Sequence, residues 1–170
     1  MDITQLILDD HREQRRLFAM IEQIGSDHPE SLAAVWKRLA TFLEVHAETE
    51  EKIFYPALLQ VGRDAGDRAG VESETLDAIK DHNEIRDAIA AVSGKKVGGA
   101  EWIEAVAAVN KANSDHMAEE EREGLTDFRR QASLEHRHEL AIQFAAYETS
   151  HVTGVKPVDK DPKTWVKEHG

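Results

Sequence analysis

The chain has 170 residues, 41% of them apolar in type, enough for one domain around a single sizeable core. It contains no cysteine, which excludes disulfides, zinc–thiolate sites, iron–sulfur clusters and thiol catalysis and leaves only nitrogen and oxygen ligands for any metal. A formal charge of −12, from 33 acidic against 21 basic residues, argues against nucleic acid or an anionic membrane as partner.

Apolar residues recur with a helical period almost throughout, so the expected fold is all-α. Ile3, Leu6, Ile7, Leu17, Phe18, Ile21 and Ile24 mark a first helix over about 2–24, stopped by "GSDHPE". A second helix is expected from Pro29 to Leu59, carrying Val35, Trp36, Leu39, Phe42 and Leu43, and "GRDAGDRAG" after it reads as a loop. A third, over about 73–93, carries Leu76, Ile79, Ile85, Ile89 and Val92 and ends at "SGKKVGG". A fourth, over about 100–122, carries Trp102, Ile103, Val106 and Val109. A fifth helical stretch over about 126–150 holds Leu134, Leu140, Ile142, Phe144 and Tyr147, and residues 151–170 read as a proline-bearing extended tail. Short connections imply an up-down four-helix bundle: residues 1–150 form the domain, with a core bundle over 1–125 and the fifth helix, 126–150, against its outside or one end. No apolar run reaches the ~18 residues of a membrane span, and the start, "MDITQLILDDHREQ", soon turns charged, so a soluble, cytoplasmic protein is expected.

Each of the four apolar stripes is interrupted by a histidine. The faces read Ile7, His11, Gln14, Phe18; then Leu39, Phe42, His46, Glu50, Ile53; then Ile79, His82, Arg86, Ile89; and finally Val106, Val109, Asn113, His116, Glu120. The pattern is duplicated: "DHREQR" from Asp10 matches "DHNEIR" from Asp81 at an offset of 71, and "HAETEE" from His46 matches "HMAEEE" from His116 at an offset of 70. Two such helical hairpins facing each other bring four imidazoles and two carboxylates to one level of the core. Unpaired charge there is costly, so a cation must neutralise it. Six donors exceed what one zinc takes, which implies two ions, and imidazole with carboxylate suits iron, with manganese or a mixed pair as alternatives.

These segments resemble the hemerythrin-like family, the HHE cation-binding domain, over residues 1 to about 125. His11, "HAETEEKIFYPAL" from His46, "DHNEIR" around His82 and "HMAEEE" from His116 carry the resemblance. It implies a four-helix bundle with two iron ions in an oxo-bridged di-iron centre, ligated by His11, His46, Glu50, His82, His116 and Glu120. It also implies chemistry with dioxygen, peroxide or nitric oxide.

Oxygen-carrying members have a fifth histidine where this chain has Arg86, and an aspartate five residues after the last histidine where it has Glu121, so Glu121 and Glu119 compete with Glu120. Without the fifth histidine two coordination positions stay open rather than one, which favours turnover over reversible carriage. In an ideal helix Tyr55 lies off the His46 face, but Pro56 follows it, so its phenol is either a further metal ligand or a packing group beside the site. Arg86 pairs with an acid such as Glu51 or Glu121, or is solvated. His28, His136, His138, His151 and His169 are expected at the surface. The expected function is a di-iron oxidoreductase acting on hydrogen peroxide, catalase-like or as a peroxidase toward a small molecule such as nitric oxide. The alternative is a module that binds or senses dioxygen, nitric oxide or iron without turnover.

Overall fold

The computed structural model describes residues 1–170 as eight α-helices and one π-helical turn, with no strand. Helix α1 (Ile3–Ile24) is capped by the Asp2 carboxylate, which accepts from the Thr4 N–H, and α2 (Pro29–Thr49) starts with proline, whose missing N–H costs nothing there. The expected single helix from Pro29 is interrupted by the π turn Glu50–Phe54 and then continues as α3 (Tyr55–Ala65). Pro56 explains the interruption: it has no N–H to donate back, and its ring crowds the carbonyl four residues earlier. The turn widens, and the Tyr55 N–H bonds to the Glu50 carbonyl.

Two loop assignments need correction. "GRDAGDRAG" is mostly helical, because α3 runs to Ala65 and α4 (Arg68–Val92) begins three residues later. Gly66, at φ +81°, reverses the chain in this short space. The tail is not wholly extended either: after an irregular stretch, Asp161 caps α8 (Pro162–His169) and Trp165 and Val166 are buried. Eight residues are too few to display a period, although the Asp-Pro-x-Thr start is a legible cap. Helix α5 (Ala100–Arg122) is as expected, while the fifth stretch divides into α6 (Gly124–Gln131) and α7 (Leu134–Ser150), broken at Ala132 and Ser133. Leu134 and Ile142 of α7 and Ile103 of α5 face solvent, whereas Leu140, Ala141 and Phe144 are buried.

Helices α1 and α2 pack as one hairpin and α4 and α5 as another; α3 lies on α4, α7 on α1, and α8 on α4. The core is two apolar clusters. Leu17, Phe18, Leu39, Leu43, Ile85, Ile89, Trp102 and Val106 belong to one. Ile3, Ile7, Phe54, Leu58, Val71, Ile79, Leu125, Phe128 and Phe144 belong to the other. Along each long helix the residues between them are polar and buried: His11 and Gln14, His46 and Glu50, His82 and Arg86, Asn113, His116 and Glu120. Helices α1 and α4 run from the second cluster to the first, whereas α2 and α5 start in the first and the segments that follow them, from Phe54 and from Leu125, enter the second. No helix is long and apolar enough to cross a membrane.

The close approach of α3 to α4 rests on Gly62, where an added Cβ would stand 2.4 Å from both Val71 methyls. In an open helix Gly→Ala gains up to ~1 kcal/mol, but overpacking costs about 1–3 kcal/mol, so Gly62→Ala is expected to destabilise the fold. Chemical denaturation checks this, and a stabilised variant would mean that the helices do not meet so tightly.

Candidate metal centre

The four stripe histidines meet in the polar layer, all buried, with their Nε2 atoms turned to the same space. Glu50 sits at the middle with no solvent exposure. Its Oε1 lies 3.0 Å from His46 Nε2 and its Oε2 lies 3.3 Å from His82 Nε2. His82 and His116 face each other Nε2 to Nε2 at 3.1 Å, and His11 Nε2 lies 3.3 Å from Glu120 Oε2. The donors form two triads, His11–His46–Glu50 and Glu50–His82–His116, which share Glu50.

Each imidazole turns its other nitrogen to a carboxylate. His11 Nδ1 is 2.9 Å from Glu121, His46 Nδ1 is 3.2 Å from Asp10, His82 Nδ1 is 2.9 Å from Glu51, and His116 Nδ1 is 3.6 Å from Asp81. A carboxylate only accepts, so the ring proton belongs on Nδ1 and the Nε2 lone pair is left facing inward, the tautomer a metal requires. The duplication now has a physical meaning. The aspartate of each "DH" supports the histidine of the next helix in its own hairpin, and the second glutamate of each "EE" supports a histidine of the other hairpin. Arg15 and Arg86 brace those glutamates identically, each at 2.8 Å.

The residues left open by the sequence take distinct places. Glu120 is the inward carboxylate, Glu121 stands behind His11, and Glu119 is exposed. Arg86 pairs with Glu51, 2.8 Å away. The π turn brings Tyr55 into the layer, 1% exposed, with its hydroxyl donating to Glu120 Oε1 at 2.6 Å. Above the site Asn113 donates to Gln14 at 2.9 Å. His28, His138 and His169 are exposed, and His136 and His151 are half-buried away from the layer.

Sequence reasoning missed the roles of Asp10 and Asp81, although their place in both repeats was the available signal. It also missed Glu148 of α7, whose Oε1 is 3.8 Å from His46 Nδ1, and Lys160, which bonds Glu51 and, at 2.9 Å, Glu48. These two have no counterpart in the repeat and left no pattern to find.

Electrostatics follow the same geometry. Burial opposes charge on His82, but the Glu50 and Glu51 carboxylates beside its two ring nitrogens outweigh it and raise the ring to about 9. His46 and His11 are likewise raised against burial, mainly by Glu50 and Glu120 respectively. Burial pushes Glu50 and Glu51 up, yet the imidazoles hold Glu50 well below the usual range and bring Glu51 to about 2. Burial, then Glu120 and Glu50, push the Tyr55 phenol well above its ordinary value. Burial raises Glu148, while His46 draws it back down. Protons on the imidazoles therefore neutralise the layer when no cation is present.

A metal fits this set better than protons do. His11 Nε2, His46 Nε2, both Glu50 oxygens and Glu120 Oε2 are buried without a hydrogen-bond partner, and all five belong to the inward-facing donors. Orphaned polar atoms are rare in a native core and expensive, and here they are the atoms that coordination would satisfy.

Two opposite pH limbs are expected of the metal-free protein. His82, raised from 6.5 to about 9, stabilises the fold fully below pH 6.5 and loses that contribution as pH rises through 9. Glu51, lowered from 4.5 to about 2, contributes above pH 4.5 and loses it as pH falls toward 2. Thermal melts of chelator-treated protein should be most stable between these values, at pH 4.5 to 6.5. Metal binding should strengthen over the same alkaline range in which that stability falls, because it displaces the imidazole protons. A flat profile from pH 6 to 9 would contradict the assigned network.

The family description "Hemerythrin HHE cation binding domain" matches residues 2–126, a span that holds all six inward donors and Tyr55. No curated protein and no solved structure matches the chain. With paired histidine and glutamate clusters able to hold metal inside an all-helical core, the chain belongs to the hemerythrin HHE cation-binding family.

Proposed function

We propose that this chain holds a dinuclear non-heme iron centre and acts as an oxidoreductase on hydrogen peroxide. Its four long helices run up and down around that centre, a reading supported by the two clusters: α1 and α4 pass from one to the other, and the chain through α2 and α5 returns the opposite way. The observation that carries the metal reading is Glu50, which belongs to both donor triads and has neither oxygen hydrogen-bonded. His11 and His46 would hold one ion and His82 and His116 the other, with Glu50 between them and Glu120 completing the set. Two irons would supply the two-electron exchange needed to disproportionate peroxide or to oxidise a small molecule such as nitric oxide with it.

The chain's own residues support a small, uncharged substrate. A cleft of about 40 Å³ reaches Tyr55, His116 and Glu120 from the surface. A single water needs ~10–15 Å³ of such space, so peroxide or dioxygen fits and a larger organic reductant does not. Glu74, Asp77, Asp81, Glu119 and Glu123 line it, which disfavours anions and leaves neutral molecules free to pass. At its floor the Tyr55 hydroxyl, which donates to Glu120, would offer a hydrogen-bond donor to a small molecule entering there. Arg86, tied to Glu51, does not take the place of a further ligand.

Metal analysis should find two irons per chain, and Glu50→Ala should lose both while His11→Ala loses one. Stopped-flow mixing with peroxide should evolve oxygen over many turnovers; one stable spectral species without turnover would sink the enzyme and favour the binding or sensing reading. Tyr55→Phe should keep its iron and slow turnover by about tenfold or more. If Tyr55→Phe instead erases a broad visible band, the phenol is itself a ligand.

A further inference from the structure

Almost every polar contact around the centre is exchanged by the internal repeat. Asp10 answers Asp81, Glu51 answers Glu121, and Arg15 answers Arg86. Within the bundle the Tyr55–Glu120 and Asn113–Gln14 bonds have no repeat counterpart, and two more unmatched contacts come from beyond residue 126. Glu148 places a second carboxylate beside His46, whereas His116 faces Asp81 alone. Lys160 places a cation on the free oxygen of Glu51, whereas Glu121 has no lysine.

The lysine is not a stray surface charge. Its backbone N–H donates to Asn83 Oδ1 at 3.0 Å and its carbonyl accepts from Asn83 Nδ2 at 2.7 Å, one residue past His82. Helix α8, which starts two residues later, anchors this segment by burying Trp165 and Val166 against the bundle. The Glu51 side chain that Lys160 meets is 1% exposed, so the added charge acts where water screens it poorly.

We infer that the segment after the duplicated bundle makes the two metal positions unequal, through Glu148 at the His11–His46 side and Lys160 at the Glu50–His82–His116 side. A carboxylate accepting from Nδ1 makes Nε2 a stronger donor, and a cation on that carboxylate weakens the effect. Glu148 Oε1 stands 3.8 Å from His46 Nδ1, whose hydrogen bond goes to Asp10, so it acts through its charge, strengthening His46 and favouring the more highly charged ion at its position. Lys160 draws charge from Glu51, weakens His82 and favours the less highly charged ion at the other. Both are positioning residues that touch neither substrate nor metal. The inference rests on the dinuclear reading above.

The test uses the full chain, loaded anaerobically with ferrous ion, in wild type, E148Q, K160M and K160R. Release of each ion to excess chelator is followed in time, with His11→Ala assigning the phases. Wild type should release iron in two phases. E148Q should speed the His11–His46 phase about tenfold, K160M should slow the other by a similar factor, and K160R should behave as wild type. Reduction potentials of the two ions give a second readout: the gap between them should narrow in both E148Q and K160M and persist in K160R. A merely structural role for Lys160 would instead lower the melting temperature and change both phases in the same direction. Single-phase release from wild type, or unchanged kinetics and potentials in both E148Q and K160M, would overturn the inference while leaving the centre in place. A wild type that takes up no iron would overturn the centre as well. Glu148 lies at a partly exposed position, so E148Q carries the test even if K160M does not fold.

Discussion

A carboxylate with no access to water, at the middle of a helical core, is the constraint on which the rest of this structure turns. Glu50 is fully buried and both its oxygens lack a hydrogen-bond donor, so positive charge must be brought to it. The imidazoles of His46 and His82 are the nearest source, and each needs a further carboxylate behind it to carry that charge. The requirement spreads outward through Asp10, Glu51, Arg86 and Lys160 until it reaches groups that water can solvate. A single buried charge thus dictates a polar layer through the whole width of the bundle.

The way that layer is wired couples the two hairpins. Asp10 and Asp81 orient histidines within their own hairpin, but Glu51 and Glu121 orient histidines of the opposite one. Each half orients one imidazole by itself and depends on the other half for its second, so completing the centre requires the two hairpins to dock. A hydrophobic layer of the same volume would give more stability, since buried charge networks at best break even against good packing. What the polar layer provides is a preformed donor set with the right tautomers.

Much of this was legible in the sequence because duplication writes each interaction twice. The six inward donors could be read from four stripes with the same defect, and the two-hairpin plan from the offsets of 71 and 70. Local conformation was harder. The π turn moves Tyr55 from the flank of the helix into the layer, and only Pro56 hinted at it, since a proline also marks ordinary kinks and ends. Helix α8 is shorter than the window in which a period can be recognised, and Glu148 and Lys160 act through tertiary contacts spanning about a hundred residues, for which no repeat partner exists.

The same asymmetry explains why the chain continues beyond its duplicated bundle. One apolar cluster is built entirely from the long helices, with Trp102 and Phe18 among its members. The other draws Leu125, Phe128, Ala132, Leu140, Ala141, Phe144, Trp165 and Val166 from α6–α8 and their junctions, eight of its 18 buried residues. Below the polar layer the four helices thus leave apolar surface that they do not cover themselves, and the later segment covers it. Having been brought there by burial, α7 and the irregular segment before α8 lie beside His46 and Glu51, where Glu148 stands near the His46 ring and Lys160 bonds Glu51. A packing requirement at one end of the bundle is what puts Glu148 and Lys160 within reach of the chemistry.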